Sequence, residues 1–348
     1  MRIRIIGFTK GGCSLAMKLM AALKARGETC AAYAKTSADG YGAERVEGSL
    51  DDWTKEAFLV SEAIVFIGAA SIAVRSIAPH VQSKTKDPAV VVVDELSKYA
   101  IPILSGHLGR ANKLAGEISR IIGSMPVITT ASDINGSFSV DLFALEHGLV
   151  MSSMSIAKEV SARILDGKEV GLVSDYPIVG AIPQGLRLSH DLDVGICITS
   201  RRGKALFAKT LRLTPRNIVI GIGCKKGTPV QVIERKVFEV LKADGLTPEG
   251  MSKVASIDLK AGEPGLLAFC EKYQLETRFF NRAELESVPD VGFSYSEFVS
   301  AVTGVGNVCE RSALAASVNG RLVHGKEASE GITVALAMED FSVDFRET

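Results

Sequence analysis

The chain has 348 residues, enough for two or three domains, and its 47% hydrophobic and 23% charged residues exclude a disordered or fibrous protein. Basic and acidic residues balance at 40 each, which argues against general binding to nucleic acid or to a membrane surface. No apolar run is long enough to span a bilayer, and the 6 cysteines and 5 histidines are scattered. These features predict a cytoplasmic protein that has no metal site of its own.

The first part of the chain alternates short apolar runs with amphipathic stretches, a pattern typical of parallel α/β layers. Strands are predicted at 3–8, 63–68, 89–94 and 126–132, and helices near 13–27, 69–79 and 108–122. We predict an amino-terminal α/β domain at 1–133. Ligands of open α/β sheets usually bind at the carboxyl ends of the strands, so loops that follow these strands are candidate site loops.

The pattern changes after residue 133. Two helices separated by a turn at Gly148, followed by strands at 170–175 and 193–200, predict a smaller central α/β domain at 134–214. A new strand at 218–224 begins a second parallel-type α/β domain at 215–348, with helices at 229–243 and 264–273 and a closing strand at 331–338. The predicted fold is therefore two parallel-type α/β domains joined by a smaller α/β segment.

The stretch ILSGHLGRANKLAGEISR at 103–120 predicts a strand end, a Gly-His-x-Gly elbow and a helix. His107 is either a solvent-facing turn residue or a proton carrier at the sheet edge. Asp94 and Glu95 end the preceding strand, where paired acids either serve acid–base chemistry or cap the turn. Arg75 lies on a predicted helix whose basic face is either solvated or near the same edge.

Two later loops repeat this strand-to-helix arrangement. GIGCKKGTP at 221–229 places Gly223, Lys225 and Lys226 before a helix, where glycine backbone and positive charge favour an anion. It lacks the phosphate-loop and full dinucleotide patterns, so a nucleotide site is a weak alternative. TGVGNVCERSA at 303–313 brings Glu310 and Arg311 to a helix start, where they either cap the helix or take part in a site. Spacing alone suggests binding of a polyanionic small molecule and names no reaction.

Together, the longer motifs resemble one family. SIAVRSIAPHVQSKTKDPAVVVVDE, LSGHLGRANKLAGEI and PVITTASD resemble the amino-terminal domain of the CbiG family, whose members are cobalt-precorrin-5A hydrolases. FSVDLFALEHGLV is similar to the central domain, and IGIGCKKGTP, ASIDLKAGEPGLLAFC and TGVGNVCERSALAA are similar to the carboxy-terminal domain. The resemblance covers most of the chain in order. Where the family has glycine, this chain has Ser71, Arg110 and, after Glu95, Leu96-Ser97.

The resemblance implies hydrolysis of a ring-contracted cobalt tetrapyrrole in anaerobic cobalamin biosynthesis, with δ-lactone opening and acetaldehyde release to give cobalt-precorrin-5B. No cofactor is implied, since the substrate carries the cobalt, and other pathway enzymes are possible partners. His107 is the expected general base, with Glu95 and Glu310 as second choices. The expected substrate-binding residues are Arg75, Ser105, Gly106, Gly109, Arg110, Asn112, Gly223, Lys225 and Lys226. The alternative is a carrier that binds the corrinoid intermediate without reaction.

Overall fold

The computed structural model describes residues 1–36, 40–83, 86–106, 109–130, 136–203, 206–290 and 292–346. The chain divides into two compact units, Met1–Leu142 and Phe143–Thr348. The end of the first unit thus lies near residue 133, the predicted end of the amino-terminal domain. The second contains the segments predicted as central and carboxy-terminal domains, and that further division stays a prediction.

Unit 1 is a seven-stranded sheet with helices on both faces. Its strands run in the order β3-β2-β1-β4-β5-β6-β7, parallel except where β6 opposes β5. The strands are β1 (Arg2–Gly7), β2 (Thr29–Ala34), β3 (Glu44–Arg45), β4 (Ala63–Ile67), β5 (Ala89–Val93), β6 (Tyr99–Leu104) and β7 (Met125–Pro126). The helices are α1 (Lys10–Lys24), α2 (Leu50–Val60), α3 (Ala70–Ile77) and α4 (Ala111–Ile122), with a 3-10 turn at Ala78–His80.

Continuous apolar runs put β4 and β5 at the centre of this sheet, because every residue of both strands is buried. One face is covered by α1 and α4, through Leu19, Leu23 and Leu114. The other face is covered by α2 and α3, through Trp53 and Ile77. The two-sided cover is what a parallel sheet requires.

The second unit contains two five-stranded sheets. The first has the order β11-β9-β12-β13-β8, and the second β16-β15-β14-β18-β17. The strands are β8 (Leu149–Met151), β9 (Val170–Ser174), β10 (Ile178–Val179), β11 (Leu186–Leu188), β12 (Val194–Ile198), β13 (Lys209–Pro215), β14 (Ile218–Cys224), β15 (Met251–Ile257), β16 (Glu276–Phe280), β17 (Arg321–Ser329), β18 (Ile332–Met338) and β19 (Val343–Asp344). A separate parallel pair joins β10 to β19.

The second unit has seven helices in the described residues. They are α5 (Val140–Glu146, which begins in unit 1), α6 (Met154–Leu165), α7 (Val230–Ala243), α8 (Pro264–Tyr273), α9 (Arg282–Glu286), α10 (Glu297–Thr303) and α11 (Cys309–Ala316). In the later sheet, helices α7 and α8 pack on one face through Val237 and Phe269. On the other face Ala313 of α11 packs against Val219 of β14.

The predicted α/β class is confirmed, with parallel pairs dominating three of the sheets. Several elements were not predicted, among them β2, α2 and β13, and two further differences have a clear physical reason. The strand predicted at 126–132 is only Met125–Pro126 within the described residues, because beyond Val127 the chain turns to α4, where Asn112 Nδ2 donates to Thr130 Oγ1 at 2.9 Å. Strand β17 was not predicted, because its charged sequence RLVHGKEAS does not alternate and it carries two bulges.

Candidate active site and ligand-binding cavity

In unit 1 the candidate site lies where the strand order reverses. The chain moves from β1 to β2 on one side and to β4 on the other, so the loops after β1 and β4 flank a crevice of the kind that binds ligands. The loop after β1 ends at Thr9, which caps α1 by accepting a hydrogen bond from Gly12 N at 3.1 Å. This loop was not predicted as part of the site, although its Gly-x-Thr-Lys-Gly-Gly sequence follows the first strand.

Glu95 reaches this crevice from the end of β5. Its Oε1 accepts a hydrogen bond from the Thr9 hydroxyl. A Cβ on Gly11 would lie 2.8 Å from the same oxygen, so glycine leaves the space that the carboxylate occupies. Glu95 thus sits over the amino end of α1, where the helix dipole favours a negative charge.

The neighbouring Asp94 has a different role. Its two carboxylate oxygens accept the backbone N–H groups of Leu96, at 3.0 Å, and Tyr99, at 2.5 Å. Asp94 therefore caps the tight turn between β5 and β6. Of the predicted acid pair, Glu95 is the member that faces the crevice.

The elbow after β6 is a strained turn. Ser105 and Arg110 have φ angles of 56° and 64°, in the left-handed region that favours glycine. Carbonyls of Ser105 and Gly106 accept the N–H groups of Ala111 and Asn112, each at 3.1 Å, and so satisfy the first turn of α4. Arg110 stands where the family motif has glycine, and its backbone angle gives the physical reason for that preference.

The remaining predicted residues of unit 1 occupy different settings. His107, the expected base, lies outside the described residues. Gly109 precedes Arg110 at the amino end of α4, and Asn112 is buried with 7% of its surface exposed. Arg75 is exposed on α3 and makes no ion pair with any residue in the described part of the chain.

The second unit contains a cavity of about 610 Å³. Its lining combines four lysines with an apolar wall. The lysines are Lys225, Lys226, Lys260 and Lys326, and the wall includes Ile257, Val299, Val302, Val308 and Ile332. Among the described lining residues Glu330 is the one acid, and it is paired with Arg235. The cavity lies within the size range of small-molecule sites, about 300–1,000 Å³, and its charge favours an anionic ligand.

The predicted Lys225/Lys226 loop forms part of this cavity and is anchored by a buried glutamate. Glu263 has 6% of its surface exposed; it accepts a hydrogen bond from Gly227 N and pairs with Lys260 Nζ at 3.4 Å. Both loop lysines are exposed, so their charge is available at the rim. Sequence reasoning missed Glu263 and Lys260 because they lie between β15 and α8, more than 30 residues beyond the loop.

The glycines of this loop serve close packing within the domain. A Cβ on Gly221 would lie 1.8 Å from the carbonyl oxygen of Cys309, so glycine lets α11 pack directly on β14. Gly223 accepts the Thr333 hydroxyl at its carbonyl at 3.2 Å and also lines the cavity. Gly221 thus admits a helix, and the role of Gly223 in substrate binding stays a prediction.

Glu310 is a buried acceptor with 4% of its surface exposed. Oε2 accepts from Ser294 N and Oγ, each at 3.0 Å, and from Asn307 Nδ2, while Oε1 accepts from Lys326 N at 2.8 Å. These contacts join the segment before α10 to β17 at the cavity wall. They weigh against Glu310 as a base, since its carboxylate is already engaged, and that role stays a prediction.

Two thiols line the cavity, and burial keeps both protonated at neutral pH. Burial raises the pKa of the Cys309 thiol to about 11, and burial also raises the pKa of the Cys224 thiol. A thiol is a poor nucleophile, so the geometry gives no support to cysteine catalysis here. No cluster of three or more metal-binding side chains occurs among the described residues, and none of their helices is long and apolar enough to cross a membrane.

The fold and the cavity define an α/β protein with a cavity whose charge favours an anionic small molecule. Family models described as the amino-terminal, central and carboxy-terminal regions of the cobalamin synthesis G protein match residues 52–133, 138–215 and 218–337. The chain belongs to this CbiG family.

Two relatives named for one reaction support the same assignment. A cobalt-precorrin-5A hydrolase of Salmonella typhimurium is 33% identical over 97% of both chains. A cobalt-precorrin-5A hydrolase of Priestia megaterium is 30% identical over 79% of this chain and 77% of the relative. A solved structure of a cobalamin biosynthesis protein G homolog from Sulfolobus solfataricus is 24% identical, covers 97% of both chains and has a TM-score of 0.44.

Proposed function

We propose that this chain hydrolyses cobalt-precorrin-5A in cobalamin biosynthesis. Water opens the δ-lactone of the ring-contracted macrocycle, and cleavage of a carbon–carbon bond then releases acetaldehyde to give cobalt-precorrin-5B. The protein needs no cofactor, because the cobalt arrives with the substrate. It acts in the cytoplasm, where the other enzymes of the pathway are its possible partners.

One structural observation carries this proposal: the lysine-lined cavity of the second unit. The chain as a whole is neutral, yet four lysines converge on one apolar-walled cavity. A tetrapyrrole with carboxylates around an apolar ring needs both features. Relatives named for this reaction match the chain over most of its length, which supports the same substrate class.

The chemistry is assigned to the loops of unit 1. His107 acts as the base that delivers water to the lactone carbonyl, and the backbone N–H groups of the elbow stabilise the oxyanion. Glu95 is the alternative base, supported by its position over α1 in the crevice. Arg75, Arg110 and Asn112 bind the substrate at this edge of the sheet.

The test is direct. Purified protein is incubated with cobalt-precorrin-5A in the absence of nicotinamide, ATP and added metal, and acetaldehyde is measured by an enzymatic assay. One acetaldehyde for each macrocycle converted is expected. A macrocycle that is bound and recovered unchanged after many hours would contradict hydrolysis and favour the carrier alternative.

A further inference from the structure

The four lysines of the cavity form two pairs that differ in their surroundings. Lys225 and Lys226 stand exposed on the loop after β14. Lys260, in the 3-10 turn Asp258–Lys260 that follows β15, has only 19% of its side chain exposed, and Lys326, on β17, is half-buried. A cation that is partly removed from water interacts more strongly with an anion than an exposed one, because solvent screens it less.

The backbone of Lys326 is fixed at the cavity wall, because its N–H donates to the buried Glu310. Two residues earlier on β17, His324 lies between two carboxylates, with Nδ1 2.9 Å from Asp244, the residue after α7, and Nε2 3.0 Å from Glu327. Lys326 itself has no ion-pair partner within the described residues, so its charge is available to a ligand.

The apolar wall lies beside these cations. In this wall, Val299 and Val302 come from α10 and Val308 from the loop before α11. Ile257 is the last residue of β15, and Ile332 is the first residue of β18. Val302 has 62% of its surface exposed, a large fraction for an apolar side chain beside a cavity. The arrangement offers a flat apolar ligand a surface and offers its peripheral acids four lysines, of which Lys260 is also paired with Glu263.

We infer that unit 2 holds the macrocycle in this cavity, with Lys260 and Lys326 as its main carboxylate-binding residues in this unit. The inference rests on the proposed function for the substrate class. Because it invokes only the apolar ring and its carboxylates, binding requires neither cobalt nor the lactone. It also places most of the binding energy on two lysines that the loop motif does not contain.

Uroporphyrin is a suitable probe, since it is a metal-free tetrapyrrole with carboxylates around its rim and no lactone to hydrolyse. Its binding to the full chain is followed by fluorescence at low and high salt. The double variant Lys260→Met/Lys326→Met should bind about tenfold to a hundredfold more weakly at low salt, as expected for loss of two charge-assisted contacts. Lys225→Met/Lys226→Met should lose several-fold. The control Lys168→Met/Lys242→Met, at exposed lysines outside the cavity, should bind as the wild type.

A measurement on the wild-type chain covers the case in which the double variant fails to fold. Bound uroporphyrin should protect Lys260 and Lys326 from acetylation, read by mass spectrometry, and leave Lys168 and Lys242 unprotected. Equal labelling with and without the probe would overturn the assignment, as would wild-type affinity in a folded double variant.

Variants in unit 1 distinguish the proposed roles of the two units. His107→Ala and Glu95→Gln should bind uroporphyrin with unchanged Kd. If either variant weakened uroporphyrin binding as much as Lys260→Met/Lys326→Met does, the assignment of the binding site to unit 2 would be refuted. Absence of acetaldehyde release with intact probe binding would reject the proposed function alone.

Discussion

Replacing Glu310 separates a structural carboxylate from a catalytic one. In Glu310→Ala four donors lose this acceptor, namely Ser294 N, Ser294 Oγ, Asn307 Nδ2 and Lys326 N. Asn307 keeps the Ser294 hydroxyl and carbonyl, each at 2.8 Å, so the two partly buried backbone N–H groups bear most of the penalty. At about 1–3 kcal/mol for each of these two N–H groups, the free energy of unfolding should fall by about 2–6 kcal/mol. Glu310→Gln keeps one acceptor oxygen and turns an NH₂ toward one donor, so about 1–3 kcal/mol is expected.

The assay uses the distribution of chromophores. Trp53 is the one tryptophan of the chain and lies in the core of unit 1, so its fluorescence reports on that unit alone. Far-UV circular dichroism reports on both. In Glu310→Ala, the urea midpoint of the dichroism transition of unit 2 should fall by about 1–3 M, because the free energy of unfolding changes by about 1–3 kcal/mol for each molar of urea. The midpoint of the Trp53 fluorescence transition should stay the same. Unit 2 stability within about 0.5 kcal/mol of wild type, together with lost turnover, would refute the structural reading and make Glu310 a base.

Three further outcomes are expected. His107→Ala and His107→Gln should both fold normally, and in each the rate of acetaldehyde release should fall by about a hundredfold to ten-thousandfold. Near wild-type rates in these variants would assign the base role to Glu95. Arg110→Gly should raise the free energy of unfolding by up to about 1 kcal/mol, because glycine relieves the left-handed backbone at this position. The same variant should raise KM for the anionic substrate, and an unchanged KM would mean that the Arg110 guanidinium has no role in binding. Thr9→Val should lower kcat about tenfold with KM held, because Glu95 loses its hydroxyl donor, and Thr9→Ser should restore it. Ser49→Ala is the control, because it removes an equivalent helix cap at α2 that is worth about 1 kcal/mol. If Ser49→Ala lowered kcat as much as Thr9→Val, Thr9 would act only as a helix cap.

Sequence patterns located the central strands because their residues leave little choice. The runs in β4 and β5 are apolar at every position, and Pro264 at the start of α8 fixes a helix beginning. β17 had no such signal, since its bulges break the period of two on which strand prediction depends.

The site was predictable only where its residues are close in sequence. Lys225 and Lys226 could be found because the loop after a strand is a recognised setting for anion binding. Lys260, in the turn after β15, and Lys326, on β17, reach the same cavity, and only the sheet pairing brings them together. Glu95 was named as an acid at the sheet edge, but its contact with Thr9 depends on β5 and β1 ending at one crevice.

The pairing of β14 with β18 has a consequence for how the chain acquires its structure. Ile218 opens the domain and pairs with Met338, near its end, so the middle of the sheet joins segments that are far apart in sequence. Such contacts close large loops and slow the search for the native state. During synthesis on the ribosome, β14 and β15 emerge with one edge of β14 still lacking its partner, while unit 1 can already be complete. We therefore expect this domain to be the slow step of maturation and the part most exposed to misassembly before β18 arrives.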